Sequence, residues 1–266
     1  MAYQKIGFIG CGNMGGALAR AAAQQTKEIL LANRTPEKAA ALAAELGCQA
    51  TDNLSIAQKC GLIFLGVKPQ MMAELLTELA PVLAQRTDRF VLVTMAAGLK
   101  MDAIRRMAGG NYPIFRIMPN TPASIGAGMI LTCADGVTEE EKADFFAVMQ
   151  SAGQFDELPE NLIDAGSAVS GCGPAFVYPF IEALADGAVA CGLPRAKAQR
   201  YAAQTLLGAA QLVLESGAHP GALKDAVCSP AGSTIQGVRA LEQGGFRSAV
   251  MEAVIAAYEK TVELGK

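Results

Sequence analysis

The sequence predicts a two-part protein: a doubly wound α/β domain over residues 1–160, followed by an all-helical domain over residues 161–266. Three observations predict it. Up to about residue 160, short continuous apolar runs alternate with helical runs, the pattern of a parallel sheet covered on both faces. The first apolar run ends in Gly10-Cys-Gly12-Asn-Met-Gly15, a G-x-G-x-x-G loop that opens a helix. Beyond Glu160 the strand-like runs stop, and helical segments are separated only by Gly and Pro.

The elements follow in order. Lys5 to Gly10, Glu28 to Asn33, Leu62 to Val67, Phe90 to Thr94, Pro113 to Met118 and Met129 to Cys133 read as strands. Asn13 to Gln25, Pro36 to Leu46, Met71 to Leu83, Met101 to Met107 and Glu139 to Ser151 read as helices. The second of these is stopped by Gly47, and the last opens with three acids, as its dipole favours. In the second half, Leu162 to Cys191, Arg195 to Glu215, Pro220 to Val227, Thr234 to Gln243 and Phe246 to Leu264 read as helices. These are apolar around much of their circumference, so the helical half is expected to cover itself with a second chain.

Composition narrows the function. Lys plus Arg number 22 and Asp plus Glu 25, a net charge of −3, which argues against a nucleic-acid partner. Seven cysteines are scattered without a C-x-x-C pair and His219 is the single histidine, so no metal site is expected, nor a hydrolase built on a Cys–His or Ser–His pair unless His219 serves it. Free thiols and an amino terminus without a secretory pattern point to the cytoplasm. The longest uncharged stretch, Ala165 to Ile181, contains Pro174, Pro179 and several Gly, and reads as a buried, interrupted helix and not as a membrane span.

The glycine loop carries the first chemistry. Gly10 permits a tight turn, Gly12 lets backbone N–H groups approach a pyrophosphate, and Gly15 lets helix and strand pack closely, with the helix amino terminus facing the phosphates. The second strand ends in Asn33-Arg34-Thr35, where an acid would hold the ribose 2′-hydroxyl of NAD. No carboxylate is present, and Arg34 is suited to a 2′-phosphate, which favours NADP over NAD; a solvated surface arginine is the alternative. Val67-Lys68-Pro69, Ala96-Ala97-Gly98 and the turn from Met118 to Pro122 fall at the same sheet edge. The small residues at 96–98 leave room for a flat ring.

The helical half carries the second signal. In Ser229-Pro230-Ala231-Gly232-Ser233-Thr234, the Pro ends one helix and the Gly frees the backbone before the next. The N–H groups of Gly232, Ser233 and Thr234 would form a nest for a small carboxylate, or Ser233 or Thr234 would simply cap the helix. Ser170-Gly171-Cys172-Gly173-Pro174 is a second tight segment, suited to close approach of a ring or of another helix.

Together these residues resemble the pyrroline-5-carboxylate reductase family over nearly the whole chain. The resemblance rests on GFIGCGNMGGALA (Gly7 to Ala19), VKP (Val67 to Pro69), RIMPNTP (Arg116 to Pro122), SGCGPAF (Ser170 to Phe176), ALADGAV (Ala183 to Val189), HPGALKDAVCSPAGSTI (His219 to Ile235) and LEQGGFRSAV (Leu241 to Val250). It implies a Rossmann-like domain and a helical domain interleaved as a homodimer, with dimers assembling into a larger ring. It also implies hydride transfer from NAD(P)H to 1-pyrroline-5-carboxylate, giving L-proline. By position, Ile9, Gly10, Cys11, Gly12, Asn13, Met14, Asn33, Arg34, Thr35, Asn53, Gly66, Val67, Lys68, Pro69, Ala96, Ala97 and Gly98 would hold the dinucleotide. Ser229, Gly232, Ser233 and Thr234 would take the substrate across the dimer interface. Thr234 would meet the ring nitrogen as the catalytic residue, and Glu160 would stand near the pocket.

Some positions depart from the family. Ala231 stands where a Gly is usual, and would be strained if the backbone there has positive φ. Cys172 stands where Ser is common, and Ala226 where some members have Asn. The rival readings are a β-hydroxyacid dehydrogenase, whose second-domain Lys is missing between Gly171 and Asp186, and a dinucleotide-binding protein without turnover.

Overall fold

The computed structural model describes residues 5–265. The amino-terminal residues 1–4, part of the segment read as lacking a secretory pattern, lie outside the described residues.

The first part runs β1 (Ile6–Ile9), α1 (Asn13–Ala22), β2 (Ile29–Ala32), α2 (Pro36–Leu46), β3 (Gln49–Ala50), α3 (Asn53–Lys59), β4 (Leu62–Leu65), α4 (Met72–Gln85), β5 (Val91–Thr94), α5 (Met101–Ala108), β6 (Ile114–Met118), β7 (Gly128–Asp135), α6 (Glu139–Met149) and β8 (Gly153–Glu157). The strands form one sheet of eight in the order β3-β2-β1-β4-β5-β6-β7-β8. All pairs are parallel except β6 with β7. That exception corrects the all-parallel expectation. Only a short 3₁₀ turn, Thr121–Ile125, joins the two strands, and a parallel return needs a longer crossover.

The sheet is buried on both faces because successive side chains alternate. Ile6, Phe8, Ile29, Leu31, Phe64, Val93 and Phe115 face α1, α2 and α6. Ile9, Leu30, Ile63, Leu65, Leu92 and Ile114 face α3, α4 and α5. Phe8 stacks on Phe64, and Phe115 on Phe145, each with 4.3 Å between ring centroids. This is the doubly wound arrangement, and it leaves the carboxyl ends of β2, β1, β4 and β5 side by side along one edge.

The remaining elements are α7 (Glu160–Ser170), α8 (Gly173–Ala190), α9 (Arg195–Ser216), α10 (Pro220–Val227), α11 (Ser233–Gln243) and α12 (Phe246–Leu264). The helix expected over Leu162 to Cys191 is thus two helices, broken at Gly171-Cys172. The chain divides into two compact units, Met1–Cys172 with Ala257–Lys266, and Gly173–Ala256. The expected division after residue 160 falls at the start of α7, which packs on β6 and β7 and buries Ile163 in the core of the sheet.

Within the second unit, the buried centre is Ala185, Ala198 and Ala202, between α8 and α9. None of α10, α11 and α12 buries a residue. Tyr178, Tyr201, Leu207, Leu212, Val250 and Met251 are exposed, and Leu214 is 83% exposed. The uncharged stretch is therefore interrupted as expected but is not buried within one chain. Taken as one stretch, Glu160–Ala190 is long and apolar enough to cross a membrane, and 11% of its most apolar window is buried. Three alanines cannot hold so much exposed apolar surface in water, so these helices need a partner surface.

Candidate active site

The glycine loop is built by three main-chain segments in contact. Gly10 has φ +98°, a conformation that L side chains rarely adopt, and a Cβ there would lie 2.6 Å from the Gly66 carbonyl oxygen. A Cβ on Gly15 would lie 2.0 Å from the Gly10 oxygen. At Gly12 the opposite holds, since nothing stands within 4 Å of a Cβ position. Gly12 is the N-cap of α1 and no side chain caps the helix. The loop therefore has uncapped amides behind an open space, which fits a dinucleotide pyrophosphate.

Asn33 ties this loop to the end of β2. Its Oδ1 accepts from Cys11 N–H (3.1 Å), and its Nδ2 donates to Thr35 O (3.1 Å). The Cys11 thiol donates to Ala32 O at 3.5 Å. Burial, with the neighbouring Cys48 adding to it, pushes this thiol up to about 11, so it stays protonated near neutral pH. Arg34 and Thr35 are exposed.

Asn53 opens α3 and donates to Glu78 Oε2 (3.2 Å). Val67 and Pro69 are half-buried and Lys68 is exposed in the turn after β4. Ala96 is buried after β5, with Ala97 and Gly98 half-buried beside it. The strand order thus brings Ile9 to Met14, Asn33 to Thr35, Val67 to Pro69 and Ala96 to Gly98 to one edge of the first unit, on either side of the β1–β4 switch point.

Glu160 stands in the same unit. Its Oε1 accepts from Met101 N–H, the first residue of α5, at 2.7 Å. The same oxygen is 3.6 Å from Nη1 of Arg116, and Asp164 Oδ1 is 2.5 Å from Nη2. Arg116 is wholly buried on β6, and its Nε and Nη1 have no hydrogen-bond partner. Sequence reading passed over this arginine; the signal was a lone charge inside the apolar run PIFRIM. Asn120 was also missed as a positioning group. It accepts from Met129 N–H at 3.0 Å and donates to Ser170 O at 2.9 Å, which fixes the turn after β6.

The turn expected to form a carboxylate nest lies in the second unit. Gly232 is the N-cap of α11, Ser233 and Thr234 are its first two residues, and no side chain caps it. A plain cap by Ser233 or Thr234 is therefore not formed, and the first amides remain open. Gly232 N–H donates to Ser229 O (3.1 Å), and a Cβ on Gly232 would meet Ser229 Oγ at 2.4 Å. Thr234 is exposed. His219 caps α10 by accepting from Gly221 N–H at 3.0 Å.

Ala231 has φ +57°, the only positive φ outside glycine among the described residues. Left-handed backbone costs an alanine about 1–2 kcal/mol, against about 0.5–1 kcal/mol for the extra chain entropy of glycine. Ala231→Gly is expected to stabilise the chain by less than about 1 kcal/mol. A raised thermal midpoint checks this, and a lowered one counts against the strain.

Known proteins resemble this chain over nearly its whole length. Residues 160–264 match the family model for pyrroline-5-carboxylate reductase dimerisation, and residues 5–98 match that for NADP oxidoreductase, coenzyme F420-dependent. The chain is 43% identical to pyrroline-5-carboxylate reductase of Escherichia coli (strain K12), over 99% of each chain. It is 40% identical to that of Methanosarcina acetivorans over the whole of both. Among solved structures, pyrroline carboxylate reductase of Plasmodium falciparum with NADP bound superposes with a TM-score of 0.88 at 32% identity, covering 98% of each chain.

Proposed function

The chain belongs to the pyrroline-5-carboxylate reductase family, and from that premise we propose that it reduces its imine with NADPH in preference to NADH, using the nest at Thr234 for the substrate. The reaction is reduction of 1-pyrroline-5-carboxylate to L-proline, by a nicotinamide-dependent oxidoreductase that dimerises through its helical half. The observation that carries the reading of the dinucleotide site is the uncapped amino terminus of α1 behind the open space at Gly12.

Ile9 to Met14 cradle the pyrophosphate, and Asn33 holds the loop in shape through Cys11 N–H. Arg34 and Thr35 take the 2′-phosphate, Asn33 standing where an acid would repel it. Asn53 and Val67 to Pro69 flank the adenosine and phosphates, and Ala96 to Gly98 leave a flat face for the nicotinamide. The bound cofactor supplies a hydride. The open amides of Ser233 and Thr234 bind the substrate carboxylate across the dimer interface, Gly232 N–H donating to Ser229 O holds the turn, and Glu160 takes the family's position near the substrate. The hydride adds to the imine carbon and one proton to the ring nitrogen, so that C=N becomes CH–NH. The Thr234 hydroxyl holds that nitrogen and relays a proton from water, because an alcohol alone is a weak acid. Much of the rate enhancement then comes from the proximity and orientation of two bound rings.

Arg34→Glu tests the cofactor preference. Loss of a charge-assisted hydrogen bond is worth about 1.5–3 kcal/mol, so kcat/KM with NADPH is expected to fall roughly ten- to hundredfold while that with NADH holds or rises. Equal losses with both cofactors would contradict the role of Arg34.

Dimers assembling into a larger ring and a cytoplasmic location complete the reading. The first rests on the apolar exposure of α9 and α12, and the second on cysteines that are all free. Sedimentation distinguishes a dimer from a ring.

A further inference from the structure

The segment from Ala96 to Met101 is gripped at two points by helix ends from the carboxyl-terminal half of the sequence. Gly98 has φ +77°, and a Cβ there would stand 3.0 Å from Gly265 N and 3.1 Å from both Gly265 Cα and Thr261 O. Conversely, a Cβ on Gly265 would stand 2.3 Å from the Gly98 carbonyl oxygen. Main chain therefore lies directly on main chain. Further along, Met101 N–H is held by Glu160, with the buried Arg116 behind that carboxylate. The end of α12 belongs to the same compact unit as the sheet.

The terminal turn of a domain is poorly ordered unless something ties it down. Here it is tied to a loop whose own conformation excludes a side chain. Resting on the reading that Ala96 to Gly98 face the nicotinamide, we propose that the last turn of α12 is a positioning element of the cofactor site. Gly265 seats on Gly98 and holds the ring-facing loop in place, while Glu160 fixes its far end. Neither group touches the reacting atoms. Their effect comes through the place of the loop, where a shift of about 1 Å is enough to cost a large factor.

The test uses the full-length chain carrying Gly265→Val, and a second variant ending at Leu264. NADPH fluorescence titration gives Kd, and steady-state rates give KM for each substrate and kcat. Thermal midpoint and sedimentation report fold and assembly. Gly265→Val is expected to raise Kd and KM for NADPH about tenfold, with the midpoint, the assembly and the KM for the imine little changed. The chain ending at Leu264 is expected to shift NADPH binding in the same direction by a smaller factor, and it decides the matter should Gly265→Val fail to fold. An unchanged Kd in the variants that fold overturns the proposal, as does a loss that merely follows a fallen midpoint. Hydrogen exchange in the unaltered protein separates the two readings. NADPH should protect the amides of residues 96–100; absence of that protection means the cofactor reading itself is wrong, whatever Gly265 does.

Discussion

Thr234→Ala is expected to lower kcat/KM for pyrroline-5-carboxylate by about 10²–10³-fold, the usual cost of removing one donor aimed at a reacting group. The site explains why the loss should be confined to the chemistry. Thr234 is the second residue of α11, exposed and not engaged in capping, so its removal leaves the helix start and the amides of the nest intact. On the proposed reading the dinucleotide binds at the carboxyl edge of the sheet, so the Kd for NADPH should stay unchanged. Thr234→Ser keeps the hydroxyl and should recover most of the rate. Stopped-flow turnover with saturating NADPH reads the effect. Loss of NADPH affinity in Thr234→Ala, or a rate equal to that of the unaltered protein, would remove Thr234 from the mechanism.

Gly15→Ala is expected to act at the other half of the reaction. The added methyl would stand 2.0 Å from the Gly10 carbonyl oxygen, a main-chain atom that no rotamer change can move. Either α1 shifts outward or the Gly10 turn opens, and both displace the uncapped amides of α1 from the pyrophosphate. Overpacking of this kind costs about 1–3 kcal/mol of stability. Misplacing the phosphate cradle should weaken NADPH by roughly a hundredfold or more. Gly12→Ala is the contrasting control for fold, because its Cβ points into open space. It should fold with an unaltered midpoint yet bind NADPH more weakly, its methyl filling the space the cofactor needs. A Gly15→Ala protein with native midpoint and native NADPH affinity would contradict the packing described here.

The sequence made most of the sheet legible because its buried strands are continuous apolar runs. IGFI, ILLA, LIFL and VLVT each lie between helices, and nothing competes with that pattern. β8 was missed because it is an edge strand, GQFDE, largely exposed and without an apolar run. β3 has only two residues, and α3 takes its start from the Asp52 side chain accepting from Ser55 N–H and not from a strong apolar stripe. The reversal of β7 depends on loop length, which the pattern of apolar runs does not encode. At the site, the glycine loop and the residues after β2 were readable because their chemistry is local. The strain at Ala231 was readable because a methyl stands where the family turn calls for glycine, and the backbone there does have positive φ. Arg116 with Glu160 and Asp164, and Gly265 on Gly98, were not readable. Each joins positions far apart in the chain, and only the fold brings them within reach.

The proposed reaction passes a hydride from NADPH to a cyclic imine. The most direct measurement is NADPH oxidation, followed by absorbance, with racemic pyrroline-5-carboxylate, repeated with NADH, with the amino-acid product identified. Rapid turnover to L-proline is expected, with higher kcat/KM for NADPH. No turnover with either cofactor, on folded and dimeric protein that still binds NADPH, would contradict it.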